Sequence, residues 1–248
     1  LLRESVERGF AGFSIHYQPQ ADTLSGRLCG AEALARWHCG KYGDVSPGEF
    51  IPLMEQSGLI VPFGQWILSH GMAQCLEWRR SRPDFQISVN LSYIQLSQGD
   101  FISFLRTALE ENSLDPSRLI MELTETYLAK AEEDTLRLIA QMKELGVKIA
   151  MDDFGVGYSS LFSLKSIPVD VVKIDRRFVK GITSEPFNAT FIRSITDLCH
   201  DVGRKVCLEG VETKEEYEAV RELGMEYIQG YYFGRPMSAR QFEDRLKE

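Results

Sequence analysis

Hydrophobic and polar positions along the chain fall into two alternating kinds of segment. One kind is short, apolar and rich in β-branched residues, at 13–18, 28–36, 86–91, 119–123, 148–151, 169–174, 205–208 and 227–229. Several of these runs are almost wholly apolar, as strands covered on both faces are. The other kind repeats apolar residues at helical spacing. Leu136, Ile139, Met142 and Leu145 form one stripe, stopped by Gly146. Phe187, Phe191, Ile195, Leu198 and Val202 form a second, between Pro186 and Gly203. Helices are also predicted over 64–80 and 101–112. Ser46-Pro47-Gly48-Glu49 reads as a capping box with Pro at the first helical position, and Gly58 ends that helix. Thr213 to Glu216 reads as another box, closed by Gly224. Eight strands with intervening helices predict an α/β fold, a mostly parallel sheet closed into a TIM-like (β/α)8 barrel, with one domain over 1–248. No Gly-x-Gly-x-x-Gly follows a strand, so a dinucleotide-binding sheet has no support.

Composition narrows the classes of partner. The 248 residues, 44% hydrophobic, suffice for one large core. A net charge of −8 argues against binding a DNA or RNA polymer by phosphate neutralisation. An anionic ligand must then meet local cations, helix N-termini or metal ions. The five cysteines, Cys29, Cys39, Cys75, Cys199 and Cys207, are odd in number and lack C-x-x-C spacing. That argues against a disulfide framework or a zinc site, and the expected compartment is the reducing cytoplasm. No stretch approaches the roughly 18 apolar residues of a membrane span, so neither a transmembrane helix nor a signal peptide is expected. The chain begins at Leu1 without a Met and enters a helical pattern at once, as a domain cut from a longer signalling protein would.

The chemistry lies at the strand ends. The second strand carries Glu32 and Arg36, and the third ends in Val89-Asn90-Leu91-Ser92. The fourth runs Met121-Glu122-Leu123-Thr124-Glu125, and the fifth ends in Met151-Asp152-Asp153-Phe154-Gly155. The last three end in Lys173-Ile174-Asp175, Leu208-Glu209-Gly210-Val211-Glu212 and Ile228-Gln229-Gly230. In a barrel these ends converge on one face, where active sites lie. Clustered carboxylates repel one another and rise in pKa, and divalent cations are the usual remedy. An all-oxygen set of Glu, Asn and Asp suits Mg2+ or Mn2+. Any one rim acid is more often a solvated or capping carboxylate, and it is the repetition at strand ends that carries the functional reading. Asp175 reads equally as a helix N-cap, and Tyr231, Tyr232 and Phe233 read as packing near the barrel end.

Glu32-Ala33-Leu34 heads an ordered set of motifs over essentially the whole chain. The others are Tyr17-Gln18-Pro19, Val89-Asn90-Leu91-Ser92, Glu122-Leu123-Thr124-Glu125, Lys173-Ile174-Asp175, Glu209-Gly210-Val211-Glu212, Gln229-Gly230-Tyr231 and Asp152-Asp153-Phe154-Gly155-Val156-Gly157-Tyr158-Ser159-Ser160-Leu161. With them the chain resembles the EAL-domain cyclic di-GMP phosphodiesterases. The resemblance implies hydrolysis of cyclic di-GMP to linear 5′-pGpG by two-metal activation of a water. It implies Glu32, Asn90, Glu122 and Asp152 as ligands of one cation, Mg2+ or Mn2+, and Asp152, Asp153 and Glu209 as ligands of a second. Lys173, Glu209, Glu125 and Glu212 take catalytic roles on this view, with Lys173 orienting the water and Glu125 fixing the loop after the fifth strand. Gln18, Leu34, Arg36 and Gln229 contact the substrate. A homodimer and an upstream sensory or diguanylate cyclase domain are also implied. Gln20, Val156 and Leu208 depart from the usual pattern without removing a ligand. The alternative of another class is a catalytically inactive cyclic di-GMP receptor or partner-docking module. The complete ligand set and the lysine favour catalysis.

Overall fold

The computed structural model describes residues 1–97, 100–129, 131–157, 164 and 167–247. Among these, nine strands form one sheet: β1 (Phe13–Asp22), β2 (Leu28–Cys39), β3 (Gly43–Val45), β4 (Gln86–Asn90), β5 (Leu119–Thr124), β6 (Lys148–Phe154), β7 (Val171–Ile174), β8 (Lys205–Leu208) and β9 (Tyr227–Gln229). Eight of them close into a barrel, because β1 pairs with both β2 and β9. The short β3 only extends the far end of β2. Helices include α1 (Leu2–Glu7), α2 (Pro47–Ser57), α3 (Ile60–Arg79), α4 (Tyr93–Ser97), α5 (Phe101–Asn112), α6 (Glu125–Leu128) and α7 (Glu133–Glu144). They continue with α8 (Pro186–Asp201), α9 (Lys214–Val220) and α10 (Ala239–Leu246). None of the described helices is long and apolar enough to cross a membrane.

Seven barrel strands run parallel, but β1 runs against both its neighbours. The reason is the length of the connection. Parallel neighbours need a crossover of a dozen or more residues, and only a tight turn joins β1 to β2. In that turn Asp22 Oδ1 accepts from the Ser25 amide at 2.8 Å and the Ser25 hydroxyl at 2.6 Å. The reversal sets Gln18 directly opposite Glu32. A second irregularity lies between β6 and β7, where the register shifts between Met151 and Phe154. Asp153 there has φ of +57°, a left-handed conformation that costs a non-glycine residue free energy. The irregularity re-aims Asp152 and Asp153 as a bulge does.

The strands are apolar because helices cover them. Ile87, Leu119, Met121, Ile149, Met151, Val172 and Ile228 are all buried in one core with Phe50, Phe63 and Met72 of the helices. The helix ends follow local chemistry. Gly58 caps α2 at φ +72°, and the reciprocal box between Thr213 and Glu216 is present. At the start of α2 the Ser46 hydroxyl accepts from the Gly48 amide at 3.3 Å, a simple N-cap in place of the expected box. Gly224 lies beyond the end of α9, so it turns the connection without capping the helix. The predicted helix over 64–80 begins earlier, at Ile60. A second box, Ser238 with Gln241, opens α10.

Candidate active site

One ammonium stands among four carboxylates drawn from four parts of the barrel. Lys173 Nζ lies 2.6 Å from Glu122 Oε2, 2.8 Å from Glu209 Oε1, 3.1 Å from Asp152 Oδ1 and 3.5 Å from Glu32 Oε2. Lys173 is 1% exposed. Each partner sits where its strand delivers it: Glu32 on β2, Glu122 on β5, Asp152 on β6 and Glu209 just past β8. The strand-end residues therefore converge as the periodicity predicts.

Charge is left unbalanced. Burial opposes the charged form of Lys173, but the four acids outweigh it and hold the ammonium well above its ordinary range. The acids divide. Burial pushes Glu122 well above the usual carboxylate range, against the pull of Lys173 and with the repulsion of Glu32 and Asp152. Burial likewise pushes Glu209 up to about 7. Asp153 is raised by burial and by Asp152. Glu32 is held low. Burial works against it, yet Lys173, Gln229 and Asn90 outweigh burial. Asn90 Nδ2 donates to Glu32 Oε1, and Gln229 Nε2 donates to Glu32 Oε2, both at 2.7 Å.

These residues fit divalent cations. Glu122 Oε1 is buried with no hydrogen-bond partner among the described residues. Carboxylate oxygens of Asp152, Asp153 and Glu209 lie within 4.8 Å of one another. The donors are all oxygens, the choice of Mg2+ and Mn2+.

Two cavities meet at this cluster. The acidic one, about 360 Å³, is lined by Gln18, Glu32, Asp152, Asp153, Glu209, Glu212 and Gln229, with Leu34, Arg176 and Tyr231. The neighbouring one, about 600 Å³, is lined by apolar residues of α2 and α3 and by Arg36, Glu55, Asn90 and Gln95. Leu34 and Asp153 line both. Arg36 thus faces the apolar cavity, with its Nη1 donating to the Ala35 carbonyl at 2.8 Å. Tyr231 is not packed away as the sequence reading expected. It is 40% exposed, with the Arg235 guanidinium 4.1 Å over its ring.

The description "EAL domain" matches residues 2–236. The chain belongs to the EAL domain family. It is 38% identical over 241 residues to the bifunctional diguanylate cyclase/cyclic di-GMP phosphodiesterase MucR of Pseudomonas aeruginosa, covering 97% of this chain and 35% of that protein. It is 33% identical over 236 residues to the cyclic di-GMP phosphodiesterase PA2567 of the same species, covering 95% and 40%. The chain therefore spans well under half the length of these relatives. Among solved structures, the PaMucR phosphodiesterase in complex with c-di-GMP superposes with a TM-score of 0.89 at 38% identity, over 97% of each chain.

In this EAL domain the signature residues divide their positions. Glu32 joins the acidic cluster, Ala33 is buried in the core, and Leu34 stands between the cavities. Glu125 lies outside the acidic cavity. Its Oε2 accepts from the amides of Gly155 and Gly157, both at 3.0 Å, which ties the loop after β6 to α6. Gly155 has φ of +94°, where a side chain would be strained. The motif residues Tyr158-Ser159-Ser160-Leu161 lie outside the described residues. Glu212 lines the acidic cavity, and its amide donates to Glu216 at 2.7 Å. Asp175 caps the turn after β7, where its Oδ1 accepts from the amide and Nε of Arg177. Gln20, noted from the sequence only as a departure, is buried, and its Nε2 donates to Gln229 Oε1 at 3.0 Å. It shares the strand face of Gln18, two residues away, and that parity is the signal that could have found it.

Proposed function

We propose that this EAL domain hydrolyses cyclic di-GMP to linear 5′-pGpG. The observation that carries the reading is the buried ammonium of Lys173 among four carboxylates, three of which, Glu32, Asp152 and Glu209, line the acidic cavity. The named activity of the relatives and the c-di-GMP held by the similar structure supply the substrate.

On this reading Glu32, Asn90, Glu122 and Asp152 would hold one cation, Mg2+ or Mn2+, and Asp152, Asp153 and Glu209 a second; the closeness of the Asp152, Asp153 and Glu209 oxygens supports the latter. Such cations supply Lewis acidity and lower the pKa of nearby water. The chain's own residues do the rest. Lys173, locked in its charged form, holds the carboxylates in one arrangement and offsets charge that builds on the phosphoryl oxygens. Asn90 and Gln229 fix both oxygens of Glu32. Gln18, Leu34, Arg36 and Gln229 line the cavities and bind the substrate. Glu125 holds the loop that carries Gly155 and Gly157 beside Asp153. Glu212 lines the acidic cavity beside Glu209. In the reaction a water oxygen bonds to phosphorus, one P–O3′ bond breaks, and the leaving 3′ oxygen takes a proton from the water. The resemblance also supports a homodimer. The uncovered length of the relatives supports an accompanying sensory or diguanylate cyclase domain. A nucleotide substrate and five free cysteines support a cytoplasmic setting.

The test is hydrolysis of cyclic di-GMP by the purified domain with Mg2+, with Mn2+ and with chelator, beside Glu32→Ala. The expected result is metal-dependent pGpG, seen by chromatography and lost in the variant. Tight binding without turnover under any metal would overturn catalysis and leave a receptor.

A further inference from the structure

The acidic cavity holds one cation among its described lining residues, and no role has been given to it. Arg176 lies just past β7 and is exposed at the wall of that cavity, among Asp152, Asp153, Glu209 and Glu212. The acid beside it in sequence does not neutralise it. Asp175 Oδ1 is taken by the amide of Arg177 at 2.9 Å and by its Nε at 2.8 Å. Among the described residues no carboxylate lies within 4.0 Å of the Arg176 guanidinium.

The stem of Arg176 is held in place. Gly210 has φ of +81°, and a Cβ built on it would fall 2.1 Å from Arg176 Cβ and 2.9 Å from Arg176 Cα. The turns after β7 and β8 therefore meet at backbone distance, next to Glu209. The Glu209 amide donates to the Ile174 carbonyl at 3.0 Å, which extends the β7–β8 pairing up to this contact. Gly210 is what allows the approach, and the approach sets the backbone of Arg176 beside Glu209 at the wall of the acidic cavity.

Cyclic di-GMP carries two phosphodiester anions. Only one can react at the Lys173 cluster. The other must enter a cavity walled by carboxylates, where repulsion is strong unless a cation stands beside it. A guanidinium presents a planar fork matched to phosphate oxygens. We propose that Arg176 binds the second, non-reacting phosphate of the substrate and so selects a cyclic dinucleotide over a simple phosphodiester. The proposal rests on the cyclic di-GMP reading above.

The experiment compares wild type, Arg176→Ala and Arg176→Lys on two substrates, cyclic di-GMP and bis(p-nitrophenyl) phosphate, which has a single phosphate. Binding of cyclic di-GMP is measured separately in Ca2+ by calorimetry. Arg176→Ala is expected to raise both KM and Kd for cyclic di-GMP roughly tenfold, the loss of one charge-assisted contact. The preference for cyclic di-GMP over the single-phosphate substrate falls by a similar factor. Arg176→Lys, which keeps the charge without the fork, falls between. Arg176→Ala with KM and Kd unchanged overturns the proposal, as does an equal loss on both substrates. A wild-type domain that turns over bis(p-nitrophenyl) phosphate but neither binds nor hydrolyses cyclic di-GMP overturns the substrate reading itself.

Discussion

The two ends of this barrel both carry charged groups and treat them in different ways. At the N-terminal ends of the strands, Lys148 Nζ donates to Gln86 Oε1 at 2.6 Å, and Lys205 Nζ donates to the Tyr227 hydroxyl at 3.1 Å. Lys143 pairs with Asp170 at 2.6 Å, and the other Asp170 oxygen accepts from the Ile149 amide. Charges there are mostly matched with one another, although Arg118 Nε and Arg204 Nη1, just before β5 and β8, are buried without a hydrogen-bond partner among the described residues. At the C-terminal ends, one ammonium faces four carboxylates, Glu122 Oε1 has no partner, and Asp153 is strained. A face that serves only the fold pairs most of its charges internally. A face that must receive cations and substrate keeps unpaired acceptors and strain ready.

The sharpest way to break the comparison is to remove the central charge. Lys173→Met leaves two buried carboxylates, Glu32 and Glu122, and two half-buried ones, Asp152 and Glu209, with no cation among them. Losing one partner of a buried ion pair costs about 3–5 kcal/mol. The melting temperature in chelator should drop by about 10 °C, and hydrolysis should be lost. Added Mg2+ should recover part of the stability but not the activity. A melting temperature in chelator equal to that of wild type would mean that the cluster is not the stress point described here.

A pH series sharpens the same contrast with a smaller effect. Glu209 is lifted by burial from its ordinary 4.5 to about 7, and Glu122 and Asp153 are lifted too. A carboxyl raised on folding makes the folded chain the better proton binder, so its contribution to stability falls as pH rises through that window. Glu32 is lowered and opposes the trend at the acid end. In chelator, unfolding free energy should decline by on the order of 2 kcal/mol between about pH 4.5 and about pH 7. Saturating Mg2+ should flatten the decline, and Glu209→Gln should reduce it. Denaturant titrations that show stability rising across this window in chelator would sink the idea.

Much of this was legible in the chain, for reasons that differ by residue. Strands covered on both faces are apolar runs, so β4 to β9 stood out, and the acids that interrupt their ends marked the site. The reversal of β1 was not visible in its periodicity. It was visible in the spacing between the first two predicted strands, too short for a crossover. Lys173 could be placed at a strand end but not at its depth, because Val171, Val172 and Ile174 beside it are equally buried. Nothing in Asp175-Arg176-Arg177 says which arginine the aspartate takes, and that choice decides which one is left facing the cavity. The box at Ser238 and Gln241 was readable by the rule applied at Thr213.

The smallest effect tests the N-terminal face. Lys148 is held below its ordinary range by burial and by the nearby charges of Lys205 and Arg118. Lys148→Met removes that repulsion and also the bond to Gln86 Oε1. The lost bond costs about 1 kcal/mol, and the relieved repulsion and added apolar contact offset part of it. Stability should therefore move by less than about 1 kcal/mol, in denaturant titration, while kcat/KM for cyclic di-GMP stays at the wild-type value. A kinetic loss as large as the one expected at Arg176 would mean that the two faces are coupled through the strands. The division of labour between them would then have to be abandoned.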